Sequence, residues 1–141
     1  MFRQREDGSE VEKDFIKRHM QQLVQALKRV LHLAQTEQQS EQADEALRAA
    51  AATALKLDLA RLAAVDSGSC AVILGTAVRI RMYAQILAAE SELLRIRGRE
   101  KESTDRLHRA LRLHEEADRR SPPSEEEVRE QAAVRARLGP R

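Results

Sequence analysis

The chain has 141 residues, of which 34% are charged and 2% aromatic, with a formal net charge of +2 and one cysteine. That length is enough for one domain with one modest core. The near-balanced charge argues against a dedicated nucleic-acid binder, and a lone cysteine excludes an intrachain disulfide or a cysteine-rich metal site.

Abundant Ala, Leu, Glu, Arg and Gln, with few β-branched runs, favour an all-α protein. The opening MFRQREDGSE is too polar for a signal peptide, and no apolar run reaches membrane-spanning length. A soluble, cytoplasmic protein without membrane contact is therefore expected. Residues 1–10 are expected to form a flexible N-terminal tail. Ser9 with Glu12 has the spacing of a capping box, and Asp14 is a second candidate cap. Phe15, Ile16, Met20, Leu23, Leu27, Val30, Leu31 and Ala34 then make one apolar stripe, predicting a long first helix. Residues 36–40 read as its connection to the next helix, with Ser40 as the N-cap.

The second helix carries Ala43, Ala46, Leu47, Ala50, Ala51, Ala54 and Leu55 on one face. Residues 56–75 read as an insert. Leu57, Leu59 and Leu62 predict a short helix after Asp58, and Asp66, Ser67, Gly68 and Ser69 predict a loop. Ala71 to Leu74 restart an apolar helix, which runs to Arg97 either as one rod or with a break at Gly75.

Residues 84–117 organise the rest. Tyr83, Leu87 and Leu94 share a stripe with Ile86, Leu93 and Ile96 beside it. Leu107, Ala110, Leu111, His114 and Ala117 continue at helical spacing after a reversal at Gly98. Acid-then-base pairs four apart (Glu102 and Arg106, Asp105 and Arg109, Glu115 and Arg119, Glu116 and Arg120) predict a solvated outer face. Ser121, Pro122 and Pro123 stop this helix. Ser124 and Glu127 form a further capping box, so residues 121–141 are expected to be a marginally helical C-terminal tail.

Two resemblances follow from these residues. The Gly98 turn, Ser103, Leu107, Ala110, Leu111 and Leu113 resemble the second half of a tetratricopeptide hairpin. In the same alignment Leu87, Ser91 and Leu94 take the helix-one positions. Glu90, Ser103 and Glu115 depart from the pattern. Leu27, Val30 and Ala34 with Ala43 and Leu47 fit an earlier hairpin, but Leu27 and Leu87 lie 60 positions apart, against a repeat period of about 34. Residues 12–23 are similar to the opening helix of an uncharacterised bacterial family of small helical proteins. That resemblance implies a hairpin fold and no transferable activity.

Catalytic chemistry finds no footing. His19, His32, His108 and His114 lack metal-ligand spacing, with His19 the one nearest charged and aromatic neighbours. Cys70 has no adjoining histidine, and neither Gly68 nor Gly75 belongs to a phosphate loop. Arg79, Arg81, Arg95, Arg97 and Arg99 with Arg106, Arg109 and Arg112 define a basic ridge, though two Phe and one Tyr leave little to stack bases on.

The expectation is an all-α domain over residues 11–120, built as tetratricopeptide-like hairpins or an antiparallel bundle of four to five helices. Its expected role is a non-catalytic protein-interaction or scaffold module without cofactor or metal. Tyr83, Leu87, Arg95, Arg106 and Arg109 are the candidate partner-binding residues. Two tandem units are fewer than the three usually needed, so a homodimer is one way to close the stack, beside a protein or peptide partner. Alternatives are a nucleic-acid-associated regulator using the arginine ridge and, with less behind it, a small-ligand sensor.

Overall fold

The computed structural model describes residues 2–35 and 40–139. Among them are seven α-helices and no strand. They are α1 (Phe2–Ala34), α2 (Ser40–Leu55), α3 (Leu59–Ala63), α4 (Ser67–Leu74), α5 (Ala77–Ile96), α6 (Glu100–Arg120) and α7 (Glu125–Leu138). The all-α expectation holds, and the count of four to five helices was too low.

Side-chain caps account for the extra elements. Asp58 accepts from the Ala60 amide at 3.1 Å and starts α3. Asp66 accepts from the Ser69 amide at 2.7 Å, which also draws its carboxyl below the usual range. The Asp66-to-Ser69 stretch is therefore the first turn of α4 rather than a loop. Residues that favour turns are equally those of a helix N-terminus. Gly75, at φ +84°, ends α4, and the Thr76 hydroxyl accepts from the Arg79 amide at 3.2 Å to begin α5. The apolar segment is thus broken at Gly75.

The reversal at Gly98 forms as expected. Its φ is +77°, its amide donates to the Arg95 carbonyl at 3.0 Å, and the Arg99 amide reaches the Leu94 carbonyl at 2.8 Å. This bond pair is the Schellman arrangement. A methyl group added at Gly98 would meet nothing within 4 Å, so only the backbone conformation resists substitution. Gly98→Ala is expected to cost about 1–2 kcal/mol, seen as a lower urea midpoint at unchanged slope.

Helix α5 is central. It pairs most extensively with α6 and also packs on α1, α2 and α4. Leu23, Leu27 and Val30 of α1, Ala43, Leu47, Ala51 and Leu55 of α2, Ile80, Ala84, Ile86 and Leu87 of α5, and Ala110, Leu113 and Ala117 of α6 belong to one buried apolar cluster. Leu107 is buried as its spacing required, while Leu111 is only partly so. Between α5 and α6 the Ser91 and Ser103 hydroxyls lie 2.8 Å apart, and the Ser103 hydroxyl donates to the Ser91 carbonyl at 2.8 Å. Small residues here let the two backbones approach closely.

The start of α1 differs from expectation. The helix runs through Ser9 and Asp14 instead of beginning at either. Phe15, placed on the apolar stripe by spacing, is 64% exposed and stacks edge-on with His19. The reason is angular: at 3.6 residues per turn Phe15 lies about a quarter-turn off the face of Leu23, Leu27, Val30 and Ala34, while Ile16 stays on it. The end of α2 reaches this level of α1, where Ala54 and Leu55 lie beside Ile16 and His19. The proposed connection over residues 36–39 lies outside the described residues.

Candidate functional site

The five residues singled out by sequence do not converge on one surface. Tyr83 and Leu87 are 1% and 2% exposed, so both are core residues and present nothing to a partner. Their stripe is the seam of α5 against its neighbours, not an open face. Arg95 is ion-paired with Glu92 and Arg106 with Glu90. Arg109 turns inward. Its guanidinium donates to the Leu62 and Val65 carbonyls at 2.7 Å each, lies 2.9 Å from the Cys70 sulfur and sits 5.8 Å over the Tyr83 ring. It therefore ties the α3–α4 connection to α6.

Of the four acid-base pairs expected along α6, Glu116 with Arg120 forms, at 3.1 Å. Arg106 crosses to Glu90 on α5, Arg109 goes inward, and Arg119 takes Glu116, three residues away, at 2.8 Å. The arginine ridge is likewise dispersed. Arg79 donates to the Leu55 and Leu74 carbonyls, Arg97 pairs with Asp44 at 2.9 Å, and Arg99 with Glu102 at 2.6 Å.

A different constellation gathers where α5, α6 and α7 meet. Arg81 is 4% exposed, within the apolar run Ile80, Met82, Tyr83 of α5. It pairs with Asp118 of α6 at 3.3 Å and Glu127 of α7 at 2.7 Å, and donates to the Ser121 carbonyl at 2.6 Å. The buried Gln131 amide donates to both oxygens of Asp118, at 3.1 and 3.0 Å. One turn before Asp118 stands His114, 2% exposed, with its Nδ1 unpartnered. Burial pushes this imidazole down to about 4, against the opposing pull of Asp118, so it is neutral at pH 7. On α7, burial and the nearby Glu126 and Glu127 carboxylates raise Glu130 to about 7.

The capping box expected at Ser124 is present and starts α7. The far end of α7 is held by Arg137, 2.9 Å from Glu92, 3.2 Å from the Ser91 hydroxyl and 3.3 Å from the Ala88 carbonyl. The C-terminal segment is thus a docked helix. Arg81 entered the sequence reading only as part of a ridge. Its signal was an arginine inside an apolar run, which calls for a buried counter-charge. Nothing local marks Asp118 or Gln131 as that counterpart.

Beside this junction a groove of about 990 Å³ runs between α1 and the start of α7, with Arg81 at its base. Ile16, Met20, Val24, Val78, Pro122 and Pro123 give it an apolar lining. Lys17 and Lys28 edge one wall, and Glu125, Glu126 and Glu127 the other. Among the described residues neither lysine makes an ion pair.

Among the described residues no group of three or more His, Cys, Asp or Glu is placed to hold a metal, and no helix is long and apolar enough to cross a membrane. No protein-family model, curated protein or solved structure matches the chain.

Proposed function

We propose that the chain is a non-catalytic helical interaction module, tetratricopeptide-like in its two hairpins, that seats a helix of a protein partner in the groove along α1. The observation that carries this reading is the groove itself: an apolar floor between one lysine-edged wall and one glutamate-edged wall. Such a channel suits an amphipathic helix whose acids face Lys17 and Lys28 and whose bases face Glu125 and Glu126. The cytoplasmic setting and the bacterial origin implied by the first-helix resemblance belong to the same proposal. The nucleic-acid reading draws less support, because most of the ridge arginines are engaged with carboxylates or carbonyls inside the fold.

A photo-crosslinking residue at Gln21, which is exposed on the groove wall, tests the proposal. It is expected to yield one dominant protein adduct in source-cell lysate, where the same residue at Thr104 on the far face yields none. Reversing both wall lysines, Lys17→Glu with Lys28→Glu, is expected to abolish the adduct while shifting stability by no more than about 0.5 kcal/mol. Equal labelling from Gln21 and Thr104 would remove the groove from consideration.

A further inference from the structure

Helix α7 buries few of its own side chains. Of its 14 residues only Gln131 and Val134 are buried, and Val128 is 51% exposed. A free helix of that length is marginal in water, so α7 depends on its seat. The seat grips it at three levels by polar contacts. Glu127 meets Arg81 at the start, Gln131 meets Asp118 in the middle, and Arg137 meets Glu92 and Ser91 at the end. Every receiving group lies on α5 or α6, and every inserted group on α7.

The connection between them is the segment Ser121, Pro122, Pro123, Ser124. Its flanking caps are extended, at φ −156°, ψ 133° and φ −72°, ψ 168°. Two consecutive prolines hold such a segment open. It is tied to the body by the Arg81 bond to the Ser121 carbonyl and the Ser121 amide bond to the Ala117 carbonyl, and Pro122 and Pro123 lie beside α1, whereas the contacts that seat Gln131 and Arg137 lie beyond it. Recognition of α7 therefore makes little use of which chain supplies it.

We propose that α7 is exchangeable between two copies, each laying its Glu127, Gln131 and Arg137 into the α5–α6 seat of the other to form a reciprocal dimer. The partner of this surface is a second copy of the chain, and each Arg81 site is completed by that copy's carboxylate. Exchange of an identical element is a low-cost route to a dimer, because the closed monomer already contains the interface. Exchange would bring Glu125 and Glu126 of one copy to the α1 groove of the other, but the Gln21 adduct is read without altering Glu92 or Arg137, so failure of exchange would not touch the proposed interaction role.

Two full-length charge reversals test it. Glu92→Arg sets like charges between the seat and its own Arg137. Arg137→Glu does the same from the helix side. Mixed at about 100 μM, each seat meets a complementary α7 only across chains. Each variant alone is expected to show α7 amides exchanging about ten-fold faster than in the parent chain. Mixing is expected to return that protection and double the mass from 16.0 kDa. The double variant in one chain is the reference for intact pairing. A protected double variant beside an unprotected, monomeric mixture would overturn the proposal, as would single variants whose α7 never loosens.

Discussion

Arg81→Ala is expected to lower the free energy of unfolding by about 3–5 kcal/mol and to release α7. The arginine is almost wholly inside the protein, and both of its carboxylate partners are largely covered, with side chains 28% and 25% exposed. Truncation leaves Asp118 and Glu127 beside each other without a counter-charge. It also frees the Ser121 carbonyl, which the same guanidinium holds. The loss should appear in urea unfolding and as rapid exchange of α7 amides. Arg81→Met with Asp118→Asn should recover at least half of it. That pair fills the space, keeps an acceptor for Gln131, and lets Glu127 turn to water. If the single alanine change were mild, the junction would not be what fastens α7.

Acidification should produce the second large effect, through His114. Its imidazole is near 4 in the folded protein against an ordinary 6.5. The unfolded chain therefore takes up the proton first as pH falls. Stability is present above pH 6.5 and is lost as pH drops toward 4, by about 3 kcal/mol if fully expressed. Glu130 works in the opposite direction. Its carboxyl is raised from 4.5 to about 7, so the folded state holds the proton more tightly and stability declines as pH rises between those values. Because Glu130 is partly exposed, solvent screening reduces its contribution to about 1 kcal/mol. The two opposing slopes overlap between pH 4.5 and 6.5. Relative to the parent chain, His114→Gln should flatten the acid limb, and Glu130→Gln should steepen it. An acid limb unchanged in His114→Gln would show that the imidazole does not set it.

What could be foreseen was local. Leu107, Ala110 and Ala117 follow a period that any amphipathic helix obeys, and they are buried. Gly98 adopts the left-handed conformation that its place after a basic helix end suggested. Ser124 and Glu127 cap α7 because a capping box is complete within four residues. Phe15 stands at the edge of the apolar stripe, about a quarter-turn from its centre, so it meets water. The other errors arose where the outcome depended on another element. The α6 arginines have acids at the expected spacing, yet Arg106 and Arg109 find better partners 16 and 47 residues away. Tyr83 and Leu87, candidate partner-binding residues by sequence, are covered because α5 packs on α1, α2, α4 and α6. The α7 segment, expected to be marginally helical because its apolar content is thin, attaches mainly by polar and charged contacts. The Arg81 junction joins residues from three helices, and no spacing rule within one helix can foresee it.

The setting of Cys70 has a practical consequence. Its sulfur is 0% exposed, donates to the Leu62 carbonyl at 3.1 Å and receives a bond from Arg109, and burial pushes its thiol up from the ordinary value. A thiol so enclosed reacts with an aqueous reagent only after the packing of α3, α4 and α6 around it opens. As the chain's single cysteine, it makes alkylation kinetics a clock for that one motion, readable in the unmodified protein without an added label.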